Sequence, residues 1–242
     1  MRILITGGTS GLGKAVVEML AQNPNDKVIF TYLNTTDYAL EAESLMTKYP
    51  NVASVPLNFC DRESVRALCD SMEEYSPEVL INSTYVGVPQ TTYFHKIPID
   101  DFITGFNNNL VPTILITQAA IAVFKKKRFG KIINVITEAV LGLPPMGYSV
   151  YAANKAYLME LSNVWNKEYT RYNITSNCIL PAYMQTNFAK VDSRIEEQMV
   201  MQHPLKKLLM VEEVAQVIKF LIEAPQQLNG VKIPINAGQI II

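Results

Sequence analysis

The run Arg2-Ile3-Leu4-Ile5-Thr6 passes without a linker into Gly7-Gly8-Thr9-Ser10-Gly11-Leu12-Gly13, and a helical pattern follows from Lys14 to about Ala21. A strand that turns through closely spaced glycines straight into a helix commits the chain to an α/β arrangement. The glycines permit a tight turn and close backbone approach. The start of the helix presents N–H groups that no intrahelical carbonyl uses, a ready site for a pyrophosphate. Gly7, Thr9, Ser10, Gly11, Leu12 and Gly13 are therefore candidate cofactor-binding positions. The spacing is G-x-x-x-G-x-G, not the commoner G-x-G-x-x-G.

The same alternation continues to the end of the chain. Further strands are expected at 27–33, 52–57, 78–81, 131–136, 174–180 and 230–235, and helices at 36–48, 61–75, 98–126, just after Gly147, and 211–223. Asp61 is the expected N-cap of its helix. Strands and helices alternating through short connections predict a parallel sheet of about seven strands with helices on both faces. No repeat, low-complexity tract or linker interrupts 1–242, so one domain is expected. The exception to the rhythm is 181–209, long and without clear periodicity, which reads as a substrate lid.

Composition narrows the function. With 49% hydrophobic and 18% charged residues and a formal net charge of −1, nothing favours nucleic acid or an anionic membrane as partner. The basic cluster Lys125-Lys126-Lys127-Arg128 complements the end of a helix dipole. Cys60, Cys69 and Cys178 lack metal-ligand spacing and read as reduced, and with no secretory segment ahead of Arg2 the expected compartment is the cytoplasm. The stretch 110–124, interrupted by Pro112, is a buried helix and not a membrane span.

Tyr151-Ala152-Ala153-Asn154-Lys155 carries the chemistry. Residues four apart share one helix face. A phenol of ordinary pKa near 10 is a poor acid at neutral pH, but a neighbouring ammonium favours the phenolate. The pair can thus make a proton donor for carbonyl reduction. At the tip of the second strand, Tyr32, Leu33 and Asn34 offer neither a carboxylate for a ribose 2′-hydroxyl nor a cation for a 2′-phosphate. Without an acid to repel the phosphate, NADP(H) is slightly favoured over NAD(H).

Taken in order, these motifs resemble the classical short-chain dehydrogenase/reductases over nearly the whole chain, and imply a Rossmann-type fold. Thr6 to Gly13 resembles the family's T-G-x-x-x-G-x-G and Tyr151 to Lys155 its Y-x-x-x-K. Asn109-Leu110 resembles its active-site asparagine segment, and Pro181 with Thr186 the segment that holds the nicotinamide carboxamide. By that resemblance Tyr151 is the general acid/base, Lys155 binds the nicotinamide ribose, and Asn109 holds a water leading to solvent. Asn58, Phe59 and Asn82 join the cofactor positions. The family's catalytic serine is absent. Counting back from Tyr151 reaches Glu138, whereas aligning the preceding strand gives Thr137, whose hydroxyl favours it as the fourth catalytic residue. The family's N-N-A-G reads Asn82-Ser83-Thr84-Tyr85 here, Asn58 stands for the usual aspartate, and Ala182 replaces a glycine.

The expected function is NAD(P)(H)-dependent interconversion of a carbonyl and a secondary alcohol, on a 3-oxoacyl thioester or another small ketone or keto-sugar. The alternative is a catalytically silent NAD(P)-binding sensor or subunit, against which the retention of Tyr151, Lys155 and Asn109 argues. A homodimer or homotetramer is expected from the apolar excess on the two central helices. No metal is expected.

Overall fold

The structure, a computed structural model, describes residues 1–186, 188 and 192–240. Seven strands, β1 (Arg2–Ile5), β2 (Lys27–Tyr32), β3 (Val52–Pro56), β4 (Val79–Asn82), β5 (Gly130–Val135), β6 (Ile174–Pro181) and β7 (Lys232–Ile235), form one sheet in the order β3-β2-β1-β4-β5-β6-β7. Every pairing is parallel. The helices are α1 (Gly11–Ala21), α2 (Thr36–Lys48), α3 (Arg62–Asp70), α4 (Met72–Tyr75), α5 (Ile99–Lys127), α6 (Ser149–Tyr169), α7 (Ser193–Gln202) and α8 (Val211–Glu223).

The period of two along the strands divides the core in two. Ile3, Ile5, Val79, Ile81, Ile133 and Ile179 point to one face, where α1, α2 and α8 cover them. Leu4, Leu80, Ile132 and Leu180 point to the other, under α3, α5 and α6. A parallel sheet buried on both faces explains why its strands read as near-continuous apolar runs. Chain order reverses direction across the sheet between β1 and β4, and the carboxyl edge at such a switch point is where open α/β folds bind ligands.

Two features depart from the sequence expectation. The helix expected over 61–75 breaks at Ser71 into α3 and α4, with Asp61 capping α3 through Glu63 N at 3.0 Å. The expected lid contains a regular helix, α7, capped by Asp192 and burying none of its residues. The rest of that expectation, at 187 and 189–191, lies outside the described residues, as do Ile241 and Ile242 of the apolar C-terminus.

Buried polar groups knit the middle of the sheet. On the α5/α6 face the Asn82 amide donates to Thr117 Oγ1 (3.2 Å) and Asn134 Oδ1 (2.9 Å), and Asn134 donates to Ser176 Oγ (3.3 Å), which pairs with Ser162 Oγ (2.7 Å). On the other face Lys131 buries its ammonium against the carboxyl end of α8, donating to the Leu221 (3.3 Å), Ile222 (2.6 Å) and Ala224 carbonyls. At the end of α5, Lys126 pairs with Glu73, and Lys127 donates to Pro77 O at 3.2 Å. The basic run therefore ties α5 to α4 and the chain just beyond it. His203 is buried, its Nδ1 accepting from Leu205 N at 3.1 Å.

Candidate active site

The glycine turn is shaped by its own backbone. Gly7 and Gly11 have φ of +77° and +49°, a region that L side chains rarely adopt. A Cβ on Gly13 would lie 1.8 Å from Gly7 O, so turn and helix touch with no room for a side chain. Gly7 N and Gly8 N donate to Thr31 Oγ1 (3.1 Å) and Thr31 O (2.8 Å), fastening the turn to β2. At the start of α1, Ser10 is extended and makes no side-chain cap, and the first turn carries no acidic residue. That opening fits a pyrophosphate. Thr9 is buried beside it, and Leu12 sends its side chain into the core, so Leu12 can meet a cofactor only through its backbone. A Cβ on Gly11 would come 3.4 Å from Thr186 Cγ2, which places Thr186 of the segment after β6 against this turn.

Other expected cofactor positions divide. Tyr32 is half-buried and Asn34 exposed at the tip of β2. Asn58 Oδ1 accepts from Cys60 N at 2.9 Å, closing a local turn. Phe59 is buried in the core. Asn82 spends its amide donors on Thr117 and Asn134. The side chains of both turn inward, Phe59 into apolar packing and Asn82 onto its two acceptors, while Asn82 Oδ1 is buried without a partner among the described residues. Pro181 closes β6, in register with Ile235. Thr6 gains a part that its place in the motif did not reveal, its Oγ1 accepting from Ser83 N (3.0 Å) and Thr84 N (3.2 Å).

Tyr151 and Lys155 lie one turn apart on α6, only 9% and 6% exposed. Lys155 donates to Val135 O at 2.7 Å and sits 5.9 Å from the Tyr151 ring centre. Burial lowers the Lys155 ammonium to about 8. Burial likewise raises the Tyr151 phenol well above its ordinary range, while a hydrogen bond with the Thr137 side chain pulls the other way. Desolvation is the largest of these influences on the phenol.

Thr137, extended at the end of β5, caps the 3₁₀ turn Glu138–Val140 and accepts from Ala139 N at 3.2 Å. It therefore brings a hydroxyl to both the turn and Tyr151. Glu138 turns toward Asn236, and burial raises its carboxyl despite the hydrogen bond from that amide. Among the described residues its Oε2 is buried without a hydrogen-bond partner. Asn109 accepts from Val86 N (2.6 Å) and donates to Val86 O (3.3 Å) and Gly105 O (3.0 Å), so its side chain clamps the loop after β4.

An aromatic cluster surrounds the phenol. Tyr85 meets Tyr151 edge-on at 4.9 Å, Tyr148 does so at 5.9 Å, and Phe188 lies 6.0 Å away. Tyr85 had been singled out in the sequence only as a residue standing in a glycine's place. The loops 86–93 and 142–148 meet beside this cluster, since a Cβ on Gly147 (φ +87°) would lie 2.4 Å from the Thr91 backbone.

The family model for short chain dehydrogenases matches residues 1–197. The chain belongs to that family. It is 30% identical to the 3-oxoacyl-[acyl-carrier-protein] reductase FabG of Thermotoga maritima over 98% of this chain and 97% of that protein. It is 28% identical to the FabG reductase of Aquifex aeolicus, over 97% and 95%. Among solved structures, ElxO with NADP bound superposes with a TM-score of 0.86 at 23% identity, covering 98% of each chain. The chain is an NAD(P)-dependent oxidoreductase acting on carbonyl and hydroxyl carbons of small molecules. Among the described residues there is no cluster able to hold a metal ion, and no helix is long and apolar enough to cross a membrane.

Proposed function

We propose that the protein reduces a 3-oxoacyl thioester to the 3-hydroxy compound with NADP(H), a small ketone or keto-sugar being the other substrate classes its site chemistry admits. The observation that carries this reading is the Thr137 hydroxyl, just after β5, hydrogen-bonded to Tyr151, with Lys155 one turn beyond Tyr151 on α6. The nicotinamide supplies the hydride. Thr137 donates a hydrogen bond to the substrate oxygen and orients the carbonyl, and Tyr151 delivers the proton to that oxygen. Lys155, as an ammonium, holds the ribose hydroxyls and favours proton release from the phenol. Asn109 fixes the loop beneath them, with one Oδ1 lone pair left for a water. Gly7, Thr9, Ser10, Gly11, Leu12 and Gly13 hold the pyrophosphate, Tyr32, Asn34, Asn58, Phe59 and Asn82 border the adenosine half, and Pro181 and Thr186 border the carboxamide.

The thioester is supported by the names of the relatives, and NADP(H) over NAD(H) by the absence of an acid at the tip of β2. NADPH and NADH oxidation, followed against 3-oxoacyl thioesters, simple ketones and keto-sugars, tests both. Turnover confined to NADH, or to substrates other than the thioesters, rejects the corresponding half.

The whole chain is read as one cytoplasmic domain whose segment 181–209 closes over the ligands. Support comes from α7, which buries no residue, and from Thr186 lying against the glycine turn. NADPH should increase hydrogen-exchange protection over 192–202. Protection already high without ligand, and unchanged by it, would make the segment scaffold. Ile103, Leu115, Tyr157 and Val164 stay exposed on α5 and α6, supporting a homodimer or homotetramer built on these helices. Sedimentation as a monomer at micromolar concentration would refute that.

A further inference from the structure

The proton donor and its lysine are covered, and the cover includes a residue that the family resemblance does not supply. The Tyr85 ring lies edge-on to Tyr151 at 4.9 Å and 5.3 Å from Lys155 Nζ. Phe188 closes the third side, 5.8 Å from Tyr85 and 6.0 Å from Tyr151. Among the described residues, Lys155 has Val135 O as its hydrogen-bond acceptor. With the Tyr85 ring over that ammonium, Lys155 is only 6% exposed.

The Tyr85 backbone is tethered on both sides. Ser83 N and Thr84 N donate to Thr6 Oγ1, and Val86 is clamped by Asn109 through both its N–H and its carbonyl. Flanked by those anchors, the ring's available motion is rotation about its own side-chain bonds. Gly87, at φ +89° with open space around its α-carbon, begins the looser chain only beyond the clamp. A glycine at position 85, as in N-N-A-G, would leave the space above Lys155 open.

We infer that Tyr85 is a side-chain gate, closed on Lys155 and Tyr151 in the free protein, which swings aside to admit the nicotinamide end of the cofactor. The closed ring is held by its edge-on contacts with Tyr151 and Phe188, by the ammonium beneath its face, and by a hydrogen bond between its hydroxyl and the Asn154 side chain. A gate closed about nine-tenths of the time weakens apparent cofactor affinity about tenfold relative to an open site. The inference rests on the reading that the cofactor seats against Lys155, so one of its two tests needs no cofactor.

The variants are Tyr85→Ala, which removes the ring, and Tyr85→Phe, which keeps the ring and its aromatic contacts and loses only the hydrogen bond to Asn154. In stopped-flow NADPH fluorescence, Tyr85→Ala should bind about tenfold more tightly, through faster association, while Tyr85→Phe stays within about twofold of wild type. Acetic anhydride labelling of the cofactor-free protein, with Lys155 followed by peptide mass spectrometry, should rise about tenfold in Tyr85→Ala and not in Tyr85→Phe. Thermal unfolding confirms that both variants are folded. Weaker NADPH binding in Tyr85→Ala would make the ring a platform for the cofactor and overturn the gate. Unchanged association or unchanged Lys155 labelling would overturn it as well. If no variant binds NADPH or NADH and yet Lys155 labelling rises in Tyr85→Ala, the gate over Lys155 stands and the cofactor reading falls.

Discussion

The two ends of the site are built from different materials. At the β1–α1 end the working parts are backbone: positive-φ glycines, a helix start without a side-chain cap, and a contact at Gly13 too close for any Cβ. At the β5–α6 end the proposed working parts are side chains, Thr137, Tyr151 and Lys155, borne on elements underlaid by the amide and hydroxyl chain through Asn82, Asn134, Ser176 and Ser162. The first end can grip an anion almost irrespective of which side chains surround it. The second depends on a few functional groups held at one spacing and shielded from water. Binding and chemistry should therefore separate under mutation.

The largest effect is expected for Tyr151→Phe, which removes the proton donor and should lower kcat by about 10³ or more. NADPH affinity should stay within a few-fold, because the glycine turn is untouched. Retention of most of the kcat would remove Tyr151 from the chemistry and dissolve the contrast. Thr137→Ala should lose about 10²–10³ in kcat and Thr137→Ser very little, since only the hydroxyl matters. Glu138→Ala is the sharper half of that pair. A greater loss there than in Thr137→Ala would transfer the role by one residue.

Gly13→Ala probes the opposite end. With its Cβ driven against Gly7 O, it should cost about 1–3 kcal/mol of stability and lower the melting temperature by several degrees. NADPH binding should weaken about tenfold, while kcat at saturating cofactor stays within about twofold. A Gly13→Ala enzyme with normal affinity and reduced kcat would break the division. The mildest effect is a pH dependence. Lys155 is an ammonium below about 8 and loses its charge above it. Reductive kcat/KM for NADPH should therefore hold through neutrality and fall up to about tenfold per unit on the alkaline side. A fall on the acid side instead would point to another group.

The parallel sheet, its alternation with helices and the glycine turn were legible in the sequence because each is a local pattern along the chain. Tyr151 and Lys155 were legible because they are near neighbours on one helix. Other parts needed the fold. That the Thr137 side chain meets Tyr151 while Glu138 turns to Asn236, almost a hundred positions away, is a matter of the fold. Asn82 and Phe59 look like edge residues in sequence and are interior side chains in space. The Lys131 ammonium, in a run that reads as plain strand, meets its carbonyl partners only through the packing of α8 on β5.

The contact between Gly147 and the Thr91 backbone bears on how the specificity of such an enzyme can be reshaped. The segments on its two sides are more than fifty positions apart in sequence, yet any side chain at position 147 would displace the Thr91 backbone. A library that varies position 147 has therefore to vary 86–93 with it. Paired libraries, with the glycine held fixed as the pivot, open shapes that neither segment reaches alone.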